Sequence, residues 1–592
     1  MFTTRPELIG TFGVAASTHW IASGVAMSVL ERGGNAFDAA VAAGFTLQIV
    51  EPHLNGPGGE VPILFAKAGE DKATVLCGQG VAPQAATIKH FQGLDLPLVP
   101  GTGLLAAVVP GAFDAWMLLL RDHGTWPLAD VLAPAIYYAE QGQPLLPTTA
   151  DVIDRMTALF EAEWATSAAL YLNNGTAPRA NTLFRNPVLA DTYKAIVKNA
   201  TGANRDAEID SARSLWREGF VAEAVDSFSR KTEAMDTSGR RHRGLLTGDD
   251  MAGWSASYED PATLDYHGHT VCKTGSWGQG PVFLQQLALL SGFDIAAMDP
   301  IGPDFVHTVV ECAKLAFADR EAFYGDPNFA DVPLETLLSA AYADERRALI
   351  SETAAMGLRP GEISGYGGPI GVGDVAPAGA QDLGEFGAGE PTVAKTGETR
   401  GDTCHLDVID RHGNMVSATP SGGWLQGSPA IPELGFCLNT RAQMFWLDER
   451  SPNALAPGKR PRTTLTPSLA LRDGKPYLAF GTPGGDQQDQ WSVTFFLRHV
   501  HHGLNLQEAI DAPSFHSEHW PNSFYPRLAK PGHLVAESRF SDQTLEDLKR
   551  RGHDVAEAPA WSEGRLSACA QDGELMRAAA NPRGMQGYAL GR

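Results

Sequence analysis

The chain begins with apolar residues at helical spacing. Ile21, Val25, Val29 and Leu30 fall on one stripe, and Gly33-Gly34 stands where a C-terminal cap belongs. A second helix is expected from Ala36 to Ile49, its alanines suited to close packing, with Glu51-Pro52 as its stop. Apolar runs then predict two strands of one sheet, Val61 to Ala66 and Ala73 to Cys77. From Gly111 to about Ala348 the pattern is mostly helical: Phe113 to Arg121, Leu128 to Gln141, and a long segment with Phe305, Val309, Cys312, Leu315 and Ala316 on one side. Asp304 is the expected cap of that segment, Gly325-Asp326-Pro327 its end, and Asp319 and Arg320 a candidate pair near that end.

After Thr403 the period changes from helical to alternating. Leu406 and Val408 alternate with polar neighbours, Asp410 to Asn414 turns, and Met415-Val416 return. A second hairpin joins Ser468 to Arg472 and Tyr477 to Phe480 through Asp473-Gly474. It runs into Gly481-Thr482-Pro483-Gly484-Gly485-Asp486 and a helix with Trp491, Phe495 and Phe496. Between these halves, residues 357 to about 402 hold mainly Gly, Pro, Ala and Glu, the composition of a mobile tether. Thr403 sits at the end of this tether and the mouth of a strand, in Gly401-Asp402-Thr403-Cys404-His405, and the chain is expected to be cut there.

Composition narrows the class. With 592 residues, 43% hydrophobic, 19% charged and 63 glycines, the chain has material for an ample core in a turn-rich globular protein. A net charge of −23 without a basic cluster excludes nucleic acid, whose phosphates need a cationic face. The six cysteines lack the spacing of a zinc site or disulfide framework and fit reduced thiols. Met1 to Thr18 has no basic stretch followed by an apolar run, and no run of about 18 apolar residues occurs. The expectation is a cytoplasmic protein without membrane spans, metal or cofactor.

A Thr hydroxyl is a weak nucleophile unless a base adjoins it. Cutting the preceding peptide bond frees the residue's own α-amino group, which titrates near about pH 8 and can accept the hydroxyl proton. Such chemistry needs amides to hold an oxyanion, and Gly484-Gly485, between a strand and a helix, are candidates. On its own, Thr403 is also an ordinary β-branched strand residue. No Gly-x-Ser-x-Gly elbow or His-Glu-x-x-His helix competes with it. The glycines of Pro52-His53-Leu54-Asn55-Gly56-Pro57-Gly58-Gly59 suit close backbone approach, since no Gly-Lys-Ser/Thr follows to make a phosphate loop. His499, His501 and His502, and His516 and His519, lack an accompanying carboxylate at ligand spacing, and Cys404 has the look of a packed thiol.

Over nearly its whole length the chain resembles the γ-glutamyltransferase family of N-terminal-nucleophile hydrolases. The resemblance is carried by Glu31 to Ala42, by Pro52-His53 with Gly56, Gly58 and Gly59, and by Glu311 to Phe329 with Ala318-Asp319-Arg320. It is carried further by Thr403-Cys404-His405, by Pro461-Arg462-Thr463-Thr464-Leu465-Thr466-Pro467 and by Gly481-Thr482-Pro483-Gly484-Gly485. It implies an α+β fold, a four-layer αββα sandwich, and a proenzyme cut between Asp402 and Thr403. Residues 1–402 would form a large subunit and 403–592 a small one, intertwined as one globular unit, with a homodimer of these pairs left open. It also implies that Thr403 performs autocleavage and acyl transfer, that Ser421 assists it, that the Gly484 and Gly485 amides hold the oxyanion, and that Thr463 and Thr464 hold a substrate carboxylate.

Departures from the family bear on substrate. Gln79 falls where the family has an Arg for the glutamyl carboxylate, and a neutral amide cannot match that fork. Gln443 replaces an acidic residue that grips the α-amine, Arg441 adds positive charge beside it, and Gly423 replaces an Asn. A substrate ammonium is expected to meet an unfavourable field. The expected substrate is a small carboxylate-bearing amide without a free α-amine, glutaryl-like or oxamate-like, with Arg441 or Arg583 as anion partner. True γ-glutamyl transfer or glutathione hydrolysis, and a scaffold protein that never matures, are the alternatives.

Overall fold

A computed structural model describes residues 2–366 and 403–592. The expected tether, from residue 367 on, and Asp402 therefore lie outside the described residues.

Two seven-stranded antiparallel sheets form the centre. The first runs Tyr588–Gly591, Gly13–Ser17, Leu406–Asp410, Met415–Ala418, Val61–Ala66, Thr74–Gly78, Ser257–Glu259. The second runs Leu8–Gly10, Leu575–Ala580, Ser567–Asp572, Lys475–Gly481, Ser468–Arg472, His269–Lys273, Ala262–Tyr266. Alternation along each strand gives each sheet two apolar faces. Val14, Leu64, Ile409 and Met415 of the first sheet pack on Cys272, Leu469, Ala479 and Met576 of the second. Leu406, Val408 and Val416 turn outward onto helices Trp20–Glu31, Ala36–Val50 and Ala112–His123. Ala470, Leu478 and Phe480 turn outward from the second sheet onto Gly280–Leu290, Pro303–Phe323 and Gln488–His502. The result is the expected αββα sandwich.

Most predicted elements are found, and the helix Leu128–Gln141 has the predicted ends. Every residue of Ala36–Val50 is buried, which accounts for its alanines: a Cβ on Gly44 would come within 2.5 Å of the Trp116 indole. Two expectations need correction, the cap of the long helix and the Asp319–Arg320 pair. The stretch read as mostly helical is so, and it also contains strands Ser257–Glu259, Ala262–Tyr266 and His269–Lys273. The last two are joined by His267 and Gly268, both at positive φ (45° and 78°), a two-residue hairpin turn. The long helix is capped by Gly302, with Pro303 and Asp304 inside its first turn. Asp319 and Arg320 point apart, as adjacent helical residues must: Asp319 meets Arg346 at 3.4 Å and Arg320 meets Asp486 at 2.6 Å. Among the described residues no helix is long and apolar enough to cross a membrane.

Candidate active site

Backbone pairing builds the site at the ends of three strands of the first sheet. Thr403 bridges Ser421, and Ser421 bridges Glu60, exchanging hydrogen bonds of 2.9 and 3.0 Å with it. The glycine loop makes this approach feasible. A Cβ on Gly59 would overlap the Ser421 carbonyl oxygen, and one on Gly56 would lie 2.5 Å from that of Gly423. These glycines thus admit another stretch of backbone. Gly423, at φ +68°, is itself part of that contact.

The side chains form a relay. Thr403 Oγ1 lies 3.2 Å from Ser421 Oγ, and Arg441 Nη2 donates to that Ser421 oxygen at 2.6 Å. Arg441 Nε donates to the Glu60 carboxylate, and the two side chains form a fully buried ion pair. The Arg441 guanidinium lies beside the adjoining rings of Trp424 and Phe524, 4.8 and 5.5 Å from their centres. Its Nη1 is buried and makes no hydrogen bond among the described residues. Glu60 gave no sign of this role in the sequence, where it closes a glycine loop; a charged residue directly before the buried strand Val61–Ala66 was the available signal. Its presence amends the expected field, because the Arg441 charge is matched by a buried carboxylate.

The Gly484-Gly485 pair is held by amide side chains. Gly484 takes φ +118°, Gln488 Nε2 donates to its carbonyl, and Gln279 Nε2 donates to that of Gly485 at 3.4 Å. Gln488 also accepts from Thr466 N–H at 3.2 Å, tying this turn to the Thr463-Thr464 segment. A buried Lys273–Asp489 pair at 3.0 Å secures the same junction. Burial raises the Asp489 carboxyl to about 6, with Lys273 opposing the shift. The Thr463 hydroxyl accepts from Leu465 N–H at 3.3 Å, whereas the Thr464 hydroxyl is buried without a partner among the described residues.

Other candidates are placed differently. Gln443 donates to the Gly101 carbonyl (3.1 Å) and the Thr440 hydroxyl (2.9 Å) and accepts from Tyr525 N–H (3.1 Å), so it braces loops. Gln79 donates to its neighbour's carbonyl at 3.1 Å. Arg583 pairs with Glu537 at 3.0 Å and donates to the Ile510 and Ala512 carbonyls, a fork occupied away from the relay. Cys404 donates to Glu51 at 3.0 Å, and burial pushes its thiol up, so it is an inert neighbour of Thr403. Burial likewise lifts Glu51 to about 7. Four of the five histidines have hydrogen-bond partners, His499 with Tyr477, His501 with Tyr266, His516 with Glu563 and His519 with Gly532, and His502 packs edge-on against Phe305.

A strand-end Thr, a hydroxyl relay and a glycine turn within an αββα sandwich define an N-terminal-nucleophile amide hydrolase. The sequence profile of the gamma-glutamyltranspeptidase family matches residues 22–591, and the chain belongs to that family. It is 29% identical over 590 residues, 99% of each chain, to the "Glutathione hydrolase-like YwrD proenzyme" of Bacillus subtilis (strain 168). It is also 29% identical over 587 residues to the "Oxamate amidohydrolase proenzyme" of Klebsiella pneumoniae, covering 97% of this chain and 98% of that one. The solved structure of LmbA2991HD is 56% identical over the whole of both chains, with a TM-score of 0.93.

Proposed function

We propose that this amidohydrolase matures by cleavage between Asp402 and Thr403 and then hydrolyses a small amide whose acyl half carries a carboxylate and no α-amine. In maturation the Thr403 hydroxyl adds to the Asp402 carbonyl carbon, the Asp402–Thr403 C–N bond breaks, and water hydrolyses the resulting ester. Residues 1–402 and 403–592 remain, with a free amine on Thr403. In catalysis that amine takes the hydroxyl proton as Oγ1 attacks the substrate carbonyl. The oxyanion forms against the Gly484 and Gly485 amides. The proton passes to the departing nitrogen, the amide C–N bond breaks, and water hydrolyses the acyl-Thr403 ester to the free acid. Ser421, accepting from Arg441, is polarised to donate to Thr403 Oγ1 and stabilise negative charge there.

The observation that carries the substrate assignment is the Nη1 of Arg441, without a partner among the described residues, a buried cationic donor one hydroxyl from the nucleophile. A buried donor left unmatched costs about 1–3 kcal/mol, which a substrate carboxylate would relieve. The Thr464 hydroxyl, without a partner among the described residues, supports the same choice, and the occupied fork of Arg583 favours Arg441 over it. The oxamate amidohydrolase relative acts on an acid amide of this kind by its name. On a denaturing gel the native chain should run as two bands and Thr403→Ala as one. The mature enzyme should release product from glutaryl anilide or oxamate faster than from γ-glutamyl anilide. A preference for the γ-glutamyl compound would overturn the substrate assignment and leave the glutathione-hydrolase reading, while an uncut native chain would point to a scaffold.

A further inference from the structure

A cavity of about 170 Å³ lies between the start of helix Gln488–His502 and the segment from Trp520 to Lys530. We propose that it is the subsite for the amine half of the substrate and selects amides whose leaving amine carries an apolar ring. This inference rests on Thr403 being the nucleophile.

Position comes first. Asp486 and Gln487, on its wall, directly follow Gly485. Phe524, on the same wall, lies 5.5 Å from the Arg441 guanidinium, which is bonded to Ser421, the partner of Thr403. One end of the cavity thus borders the residues that follow the proposed oxyanion turn and a ring beside Arg441. Toward the other end, Leu528 is 43% exposed, giving a departing amine a route to solvent, while the acyl carboxylate is drawn toward Arg441 Nη1.

Chemistry and size agree. Trp520, Phe524, Tyr525, Pro526 and Leu528 supply an apolar wall. The charged groups on it already have partners: Asp486 has Arg320 and the Ser523 hydroxyl, each at 2.6 Å, and Glu518 has Lys530 at 2.6 Å. A zwitterionic amine such as a dipeptide would find no unmatched charge there, whereas a ring would bury apolar surface. An apolar cavity of about 150 Å³ suffices to hold benzene, so this volume fits one six-membered ring. The wall is braced in advance, with Trp520 stacked on Phe317 at 3.8 Å and Tyr525 N–H bonded to Gln443 at 3.1 Å.

Glutaryl and oxalyl cyclohexylamides and methylamides supply the test, since paired amines of like basicity differ only in the ring. The native enzyme should show kcat/KM at least tenfold higher for the cyclohexylamide of a pair, and Leu528→Asp should cut that ratio at least fivefold while Leu528→Met keeps it. A native ratio near one, or a ratio unmoved by Leu528→Asp, overturns the subsite while leaving the Thr403 chemistry standing. Turnover that survives in Thr403→Ala, or no turnover of either pair, overturns the reading beneath it.

Discussion

Removing Arg441 tests the centre of the site because its two roles have opposite signatures. Arg441→Met leaves the Glu60 carboxylate buried without its cation. Breaking a buried pair from one side costs about 3–5 kcal/mol, and removing both charges is often near neutral. Arg441→Met should therefore melt well below the native protein, and Glu60→Gln combined with Arg441→Met should recover most of the loss. Function should not recover. A charge-assisted hydrogen bond to the substrate carboxylate contributes about 1.5–3 kcal/mol, so its loss lowers kcat/KM roughly 10- to 150-fold. The readout is the kcat/KM ratio of glutaryl anilide to valeryl anilide, which lacks the carboxylate. That ratio should collapse in the double variant even where its melting temperature is restored. A stable double variant with the native ratio would refute the role given to Arg441 and leave it as a brace for Ser421.

Two further outcomes are open to simple measurement. Gly59→Ala pushes a methyl into the Ser421 carbonyl and should lower the melting temperature, by an overpacking cost of about 1–3 kcal/mol, and slow appearance of the two bands on a gel. Burial disfavours the His516 imidazolium, but Glu563 at 2.8 Å and Glu518 outweigh this and hold it up at about 9, against an ordinary 6.5. Its folded value is raised, so its stabilisation is complete below pH 6.5 and is lost as pH climbs through 9, by at most about 3 kcal/mol. Melting temperatures taken across that range should fall, and Glu563→Gln should flatten the slope.

Elements with strong local signals were legible in the sequence. Leu128–Gln141 is amphipathic and ends at Gly142, whose φ of +99° suits a residue without a Cβ, and Ser468–Arg472 turns back at Asp473-Gly474. The Ala262–Lys273 hairpin was hidden because Thr263 and Asp265 face outward on a strand at the sheet's edge, so the run lacks the apolar density of a central strand. Within the site, Thr403 and Ser421 could be anticipated from motifs. The pairing of Arg441 with Glu60 could not, since it joins residues 381 apart and depends on a backbone ladder that only the fold supplies. Phe524 is a similar case, brought to Arg441 from a distant loop.

The order of strands bears on what a cut before Thr403 would do. Gly13–Ser17 lies between Tyr588–Gly591 and Leu406–Asp410, and Val61–Ala66 pairs with Met415–Ala418. In the other sheet, Leu8–Gly10 pairs with Leu575–Ala580 and His269–Lys273 with Ser468–Arg472. Both sheets are thus woven from the two sides of that bond. A nick there would raise the number of polypeptides without creating a dissociable complex. Because unfolding would then release two separate chains, the melting temperature of the pair would rise with protein concentration, while isotopically labelled halves mixed with unlabelled enzyme would not exchange under native conditions.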